Sequence, residues 1–218
     1  MHLPRPTSIF GNIWKIVELS LEWLMPTGIL KPLPVPRPGI VGNKHKVVAL
    51  YPYRAEVIKH TIWALKYRGD PRAVSMAAEA LYDVIVAELA ENALWRRFET
   101  PLLIPIPLSK KRFRTRGFNQ CELLAMSLSK KDCGKNFIFA PNVLYKIKDT
   151  KNQATIKDKL ERQKNLVNCF SIKDKKFVVG KNVILLDDVT TTGSTLREAR
   201  KTLLHAGARR VFCIALAH

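Results

Sequence analysis

The stretch VILLDDVTTTGST, residues Val183–Thr195, decides the fold of this chain. Four apolar residues lead into Asp187 and Asp188, as in a strand that is buried on both faces of a parallel sheet. A turn rich in threonine, glycine and serine follows, and we expect a helix to begin near Ser194. The amides of such a turn and the positive end of the helix together form a cradle for an anion. The segment therefore predicts a phosphate-binding turn beside two carboxylates.

The two carboxylates suit vicinal hydroxyl groups or a divalent cation, since they repel a phosphate. A sugar phosphate with free hydroxyls satisfies both halves of the segment, and Gly193 lets the backbone approach the anion closely. A Walker B strand also ends in Asp, but the chain contains no G-x-x-x-x-G-K-[ST] sequence, which argues against a P-loop ATPase. A structural turn, in which the acids make only local hydrogen bonds, remains as an alternative.

The rest of residues 101–218 alternates strand and helix patterns. The predicted strands are PLLIPIP, NVLYKI, the region of Phe170, NVILLDDV and RRVFCIALA, and the predicted helices are FNQCELLAMSLSKK and TLREARKTLLHAGA. This alternation predicts an α/β fold with a mostly parallel sheet flanked by helices. Ligands bind such sheets beyond the carboxyl ends of the strands, so we expect the ligand site at the basic loop after Pro107 and the turn after Val189.

The first hundred residues are predicted to be mainly helical. Apolar spacing within residues 9–25 predicts an amphipathic helix, and the prolines between positions 26 and 38 predict an extended linker. After a short extended start, VVALYPY, the segment AEVIKHTIWALKYRG is a predicted helix that stops at Gly69-Asp70-Pro71. A second helix is predicted at about 72–97.

The 218 residues carry a formal charge of +19, from 37 Lys and Arg against 18 Asp and Glu. Most of it lies in residues 101–218, with 24 basic and nine acidic side chains. Such a field attracts polyanions, namely nucleic acid, an anionic membrane surface or a small polyphosphate. A solubilising lysine-rich surface is the alternative. Apolar residues make up 47% of the chain, which excludes a wholly disordered basic protein.

No apolar stretch reaches the ~18–20 residues of a membrane span, and no secretory pattern marks the N-terminus. We therefore expect a soluble, cytoplasmic protein. The cysteines form no C-x-x-C pair and the five histidines no cluster, so the spacing predicts no zinc or redox site. We expect reduced, partly buried thiols at Cys121, Cys133, Cys169 and Cys213.

The segment Val183–Thr195 closely resembles the ribose-phosphate-binding motif of type I phosphoribosyltransferases. The resemblance implies that Asp187 and Asp188 hold the ribose hydroxyls of phosphoribosyl pyrophosphate (PRPP). It assigns the 5′-phosphate to the turn, whose residues are Thr190, Thr191, Thr192, Gly193, Ser194 and Thr195. The implied reaction transfers the phosphoribosyl group to an acceptor and releases pyrophosphate. Mg²⁺ is implied as the cofactor, held mainly through the ligand and near the two aspartates.

Three further segments narrow the family. They are KYRGD (66–70), LIPIPLSKKRFRTRGFNQ (103–120) and KDTKNQATIKDKLERQKNLVNCF (148–170). Their combination with the motif above is similar to the ComF family of competence-associated, phosphoribosyltransferase-like proteins, over about residues 47–218. Its more specific elements are RGFNQ and the pattern of Thr150, Gln153, Arg162 and Asn165. Many members begin with zinc-binding cysteines, but here none precedes Cys121, so no zinc is expected.

The resemblance also implies a pyrophosphate loop after the first core strand and a flexible catalytic loop at 148–166. The pyrophosphate candidates are Ser109, Lys110, Lys111, Arg112, Arg114 and Arg116, whose cations suit phosphate groups. Lys151 is the predicted catalytic residue of the flexible loop, with Lys148 and Arg162 as further contacts. The alternatives are an ordinary exposed loop and, for the basic segment, a nucleic-acid surface.

The implied organisation is a helix and linker at 1–43, a small helical hood at 44–98 and the core at 99–218. Four aromatic residues of the hood either line an acceptor site or belong to the core: Tyr51, Tyr53, Trp63 and Tyr67.

Two alternatives to a transferase stay open. One is a single-stranded DNA-binding competence factor, favoured by Phe113 and Phe118 beside arginines. The other is a PRPP sensor without turnover. A protein of the competence machinery is a candidate partner for the N-terminal helix.

Overall fold

The computed structural model describes residues 30–41, 47–91, 100–148 and 168–218. The chain divides into Met1–Lys31 and a second compact unit, Pro32–His218, which holds every helix and strand of the described ranges. The predicted helix at 9–25 lies outside these ranges, as do the predicted loop residues Thr150, Lys151, Gln153, Arg162 and Asn165. Residues 32–38 form neither helix nor strand, as their prolines predict.

The strands are β1 (Gly39–Val41), β2 (Val47–Tyr51), β3 (Leu102–Pro105), β4 (Ile138–Phe139), β5 (Leu144–Lys146), β6 (Phe170–Ile172), β7 (Asn182–Val189) and β8 (Arg210–Ala217). The α-helices are α1 (Glu56–Trp63), α2 (Pro71–Glu91), α3 (Lys110–Arg116), α4 (Gln120–Asp132) and α5 (Ser194–His205). One π-helical turn (Ala64–Arg68) continues α1, and a 3₁₀ turn (Lys175–Phe177) precedes β7.

Six strands form the central sheet in the order β1-β2-β8-β7-β3-β4. Every neighbouring pair is parallel except β1 and β2, so the predicted α/β class with a mostly parallel sheet is confirmed. β7 pairs with β8 along its whole length, from Asn182 opposite Arg210 to Val189 opposite Ala217. The predicted strands NVLYKI and Phe170 are also confirmed, but β5 and β6 pair in a separate antiparallel ribbon.

Strand β7 lies inside the sheet and is covered by helices on both faces. Its residues 183–186 are fully buried, as the continuous apolar run predicts. Helix α4 packs against β3 and β7, and α5 packs against β7 and β8. The carboxyl ends of β7 and β8 meet at one edge, where the Thr190 amide donates to the Ala217 carbonyl oxygen at 2.9 Å. This edge carries the segment singled out by the sequence.

The basic segment after Pro107 is a helix, so the prediction of a loop there is wrong. Ser109 has an extended backbone and its hydroxyl accepts a hydrogen bond from the Arg112 amide, which caps α3. Gly117, with a φ of 84°, ends the helix in the left-handed region. A local cap and a glycine stop thus outweigh the mutual repulsion of five basic side chains.

Strand β2 lies inside the central sheet, between β1 and β8. The sequence assigns these residues to the hood at 44–98, but parallel pairing of Val47 with Cys213 makes them part of the sheet. Helices α1 and α2 follow β2 as predicted, and Gly69-Asp70-Pro71 separates them. The division into hood and core otherwise stays a prediction. Among the described residues, no helix combines the length and the apolar character needed to cross a membrane.

Candidate ligand-binding site

Two buried aspartates at the carboxyl end of β7 form the centre of the site. Asp187 is 7% exposed and Asp188 4%. The Asp187 Oδ1 atom accepts the Asp188 backbone amide at 2.9 Å, and the Cys121 thiol lies 3.5 Å from the same oxygen. The Asp188 Oδ2 atom lies 3.1 Å from the ammonium nitrogen of Lys66. The two neighbouring carboxylates therefore have different partners, a thiol for one and a cation for the other.

These surroundings separate the protonation of the two acids. Burial, and then the charge of Asp188, raises the pKa of Asp187 to about 8. Burial would also raise the pKa of Asp188, but the Lys66 ammonium and hydrogen bonds from Asp187 and Lys66 lower it below its ordinary value. At neutral pH the pair thus carries one negative charge. Asp188 holds most of it, and Lys66 balances it. Burial and both carboxylates raise the pKa of the Cys121 thiol well above its usual value, so this thiol is protonated.

The segment KYRGD brings Lys66 to the acid pair. Helix α1 widens into the π-helical turn Ala64–Arg68, a local geometry that often marks functional sites. Gly69 ends the turn with a φ of 56°, and a Cβ atom there would lie 3.3 Å from the ring of Phe118. The left-handed conformation favours glycine, and a Cβ atom at this distance would need a small shift of the Phe118 ring. The turn therefore places Lys66 beside the carboxyl end of β7 and packs its own end on the segment RGFNQ.

The segment RGFNQ and the cysteine that follows it contribute a helix cap and the thiol to the site. Asn119 caps α4, with its Oδ1 atom accepting the Cys121 amide at 3.1 Å. Its Nδ2 atom donates to the carbonyl oxygen of Ile106 at 3.0 Å, which ties the end of β3 to the start of α4. Arg116 donates to the Gln120 side chain and lies 5.6 Å from the ring centre of Tyr67. Two segments far apart in the chain thus meet at the acid pair.

The turn after Val189 leads directly into α5. Gly193 has a φ of 70° and no side chain with which to cap the helix, so the first amides of α5 depend on other acceptors. The hydroxyl oxygens of Thr192 and Ser194 lie 2.8 Å apart. The Arg197 guanidinium donates to the Thr192 carbonyl oxygen at 2.8 Å and braces the turn. This arrangement of hydroxyls and helix amides is suited to a phosphate group.

The chain is similar to several competence proteins. No protein-family model matches the chain. Competence protein ComFC of Bacillus subtilis (strain 168) is 31% identical over 159 residues, which are 73% of this chain and 58% of that protein. Competence protein F of Haemophilus influenzae is 36% identical over 113 residues, 50% of this chain and 46% of that protein. The chain is thus similar to competence proteins of the ComF type.

Other relatives of the ComF type carry a name that refers to DNA. The DNA utilization protein YhgH of Escherichia coli O157:H7 is 31% identical over 143 residues, 64% of this chain and 60% of that protein. The chain spans between 46% and 60% of the length of these three relatives.

Two phosphoribosyltransferases are among the solved structures to which the chain shows a partial likeness. The hypoxanthine phosphoribosyltransferase of Staphylococcus aureus has a TM-score of 0.35 and 12% identity, over 65% of this chain and 61% of that chain. The hypoxanthine phosphoribosyl transferase of Trypanosoma cruzi has a TM-score of 0.40 and 10% identity, over 65% and 63%.

The basic residues that the ComF resemblance assigns to pyrophosphate occupy varied places. Ser109 is buried and caps α3, whereas Lys110 and Lys111 are exposed. Arg112 is half-buried, and Arg116 is engaged with Gln120 and Tyr67. Lys110 also lines a surface pocket of about 200 Å³, together with Tyr145, Lys146, Ile147 and Lys148. Their contact with pyrophosphate stays a prediction.

The aromatic residues of the predicted hood divide between core and surface. Tyr51 is 3% exposed and its hydroxyl donates to the Pro34 carbonyl oxygen at 2.9 Å, so it belongs to the core. Tyr53 and Tyr67 are 39% and 37% exposed and remain available to a ligand. The Trp63 ring stacks under the Arg68 guanidinium at 4.6 Å.

Sequence reasoning missed Lys66, Asn119 and Cys121 as residues of this site. Lys66 and Asn119 lie in the segments KYRGD and RGFNQ, which the resemblance singled out as blocks, and Cys121 directly follows RGFNQ. The signal was therefore present in the segments, but nothing in their spacing connects Lys66 with Asp188. Cys121, Cys169 and Cys213 are buried free thiols, as expected, whereas Cys133 is exposed.

Proposed function

We propose that this chain binds PRPP with Mg²⁺ and transfers its phosphoribosyl group to an acceptor, releasing pyrophosphate. The observation that carries the proposal is the buried acid pair followed at once by the glycine turn and the start of α5. Asp188 offers a charged acceptor for ribose hydroxyls, and the turn offers amides and hydroxyls for the 5′-phosphate. The names of the relatives support a role in competence and DNA use.

The donor set of the site bears on where Mg²⁺ would lie. Single ligand atoms of Cys121, Asp187 and Asp188 all lie within 4.8 Å of one another. Mg²⁺ takes oxygen ligands and avoids thiols, and Asp188 is already paired with Lys66. Asp187 and Asp188 would therefore supply only part of the coordination of such an ion, and the oxygens of the ligand would supply the rest. Mg²⁺ would supply charge neutralisation for the pyrophosphate.

The test is calorimetry with PRPP and Mg²⁺ on the wild type and on the double variant Asp187→Asn/Asp188→Asn. We expect saturable heat in the wild type and none in the double variant, because the charged acceptor for the hydroxyls is lost. Asp83→Asn, an exposed acid on α2, is the matched control and keeps the wild-type signal. No heat in the wild type contradicts PRPP binding. Turnover is then followed as pyrophosphate release in the presence of candidate acceptors.

A second candidate function is binding of single-stranded DNA, favoured by the surface of α3. Phe113 is 49% exposed, and Lys110, Lys111 and Arg114 are exposed on the same short helix. The neighbouring pocket adds Tyr145, which is 42% exposed. Aromatic faces between cations suit stacked bases and their phosphates.

This second function has a separate test. Phe113→Ala is expected to weaken binding of an oligothymidylate, and affinity should fall steeply with salt. Asp187→Asn/Asp188→Asn should bind the oligonucleotide as the wild type does. Affinity that is independent of salt argues against an electrostatic groove.

A further inference from the structure

Lys66 occupies the position that the proposed function requires for a substrate hydroxyl. Its ammonium lies 3.1 Å from Asp188 Oδ2, and the Asp188 side chain is 6% exposed. The carboxylate is therefore enclosed, and a ribose hydroxyl that donates to it must compete with the ammonium. A quarter of the Lys66 side chain is exposed, so it has a direction in which to move.

A displaced Lys66 needs a new anion. An ammonium that loses its partner in a largely enclosed site is costly unless another negative group pairs with it. In PRPP the pyrophosphate is attached to C1, next to the 2-hydroxyl, whereas the 5-phosphate is at the far end of the sugar. If the turn after Val189 holds the 5-phosphate and Asp188 holds the hydroxyls, the pyrophosphate is the anion nearest to Lys66.

We propose that Lys66 exchanges partners on ligand binding, leaving Asp188 for the pyrophosphate of PRPP. The inference rests on the proposed function. It adds to the pyrophosphate site a cation, Lys66, that does not belong to the basic helix α3. It makes Lys66 a specificity residue, which distinguishes PRPP from sugar phosphates that lack pyrophosphate. The same cation balances Asp188 before the ligand binds and the pyrophosphate afterwards, when the ribose hydroxyls donate to the Asp188 carboxylate.

Lys66 lies on an irregular segment of backbone. Lys66 sits in the π-helical turn, and Gly69 with its left-handed φ follows three residues later. The neighbouring side chains connect this turn to the RGFNQ segment through Tyr67 and Arg116, with 5.6 Å between guanidinium and ring centre. The centre of the Trp63 ring lies 5.8 Å from that of Tyr67 and 4.6 Å from the Arg68 guanidinium carbon. The fluorescence of Trp63 should therefore report a shift of the turn.

The experiment compares PRPP with ribose 5-phosphate, both with Mg²⁺, by calorimetry. Lys66→Met should weaken PRPP binding by about tenfold or more, as loss of a charge-assisted contact implies. Its affinity for ribose 5-phosphate should stay equal or rise, because the competitor for Asp188 is gone. Lys66→Arg should keep most of the preference for PRPP. Lys59→Met, an exposed lysine of α1, is the matched control.

Other results overturn the inference in distinguishable ways. Equal loss for both ligands in Lys66→Met shows that Lys66 only supports Asp188, and unchanged PRPP affinity shows that it does not contact pyrophosphate. A wild type that binds neither ligand overturns the proposed function and this inference with it.

Thermal unfolding shows whether each variant folds. If Lys66→Met does not, the exchange is tested with Trp63 as the reporter, in a chain with Trp14, Trp23 and Trp95 replaced by Phe. Saturable change of emission with PRPP is expected, and constant emission despite calorimetric binding overturns the exchange.

Discussion

The acid pair at the end of β7 and the basic helix α3 are predicted to hold two ends of one ligand, but they are built differently. Asp187 and Asp188 are buried, with partners that separate their charges. Lys110 and Lys111 are exposed, and the helix that carries them is capped by Ser109 and ended by Gly117. The comparison teaches that enclosed charges are tuned by few specific contacts, whereas exposed charges act collectively.

The largest expected effect comes from breaking the tuned pair on its charged side. Asp188→Asn should weaken PRPP binding by about a hundredfold, because it removes the charged acceptor and leaves the Lys66 ammonium without its carboxylate. Asp187→Asn should cost much less, since an amide imitates the protonated acid. Calorimetry on both single variants measures the difference. Equal losses would show that the two carboxylates are not distinguished in the way that their partners indicate.

The second effect concerns stability against pH. Asp187 has a folded pKa of about 8, above the unfolded value of ~3.9, so the folded state holds the proton more tightly. Stability from this group is complete below pH ~4 and is lost as the pH rises towards 8. Between pH 5 and 8 the wild type should lose roughly 3–4 kcal/mol more free energy of unfolding than Asp187→Asn.

Denaturant unfolding at the two pH values checks this, with Asp83→Asn as the control for an exposed acid. Asp188 contributes in the opposite sense, because its lowered pKa gives stability that is lost as the pH falls below ~3.9. Restricting the comparison to pH 5–8 leaves Asp188 ionised throughout. Parallel pH curves for wild type and Asp187→Asn would contradict a raised pKa at Asp187.

The two regions also differ in how far the sequence predicts them. β7, its turn and α5 follow one another within a short stretch, and an apolar run, a glycine and a helix pattern specify them locally. The helical state of α3 was missed because a serine cap and a glycine stop outweighed a pattern dominated by charge. The pairing of Lys66 with Asp188, and the place of β2 beside β8, depend on tertiary packing between distant segments. Local pattern carries no information on such pairs.

Two glycines allow the next comparison, since Gly193 and Gly117 both have left-handed backbones. A Cβ atom on Gly193 would meet Val47 at 3.5 Å, an ordinary contact, and one on Gly117 would meet nothing within 4 Å. Replacement by Ala should therefore cost about 1 kcal/mol of stability at either position, from the backbone conformation alone. Gly193→Ala should also weaken PRPP binding, because the turn changes shape, whereas Gly117→Ala should not. Equal effects of the two substitutions on PRPP binding would show that the turn is not part of the site.

The smallest expected effect lies on α3 and tests whether its charges act singly or together. Lys110→Ala and Lys111→Ala each remove one exposed cation, and each should change PRPP affinity by less than about threefold. If α3 serves nucleic acid, the same variants should flatten the dependence of oligothymidylate affinity on salt, since each removes a phosphate contact. Titrations at several salt concentrations measure both quantities in one set of samples.

A large loss of PRPP binding from a single lysine would place pyrophosphate on α3, and Lys66 would then share that role with it. Small losses together with a flatter salt dependence would leave the enclosed site to the sugar phosphate and the exposed helix to a polyanion.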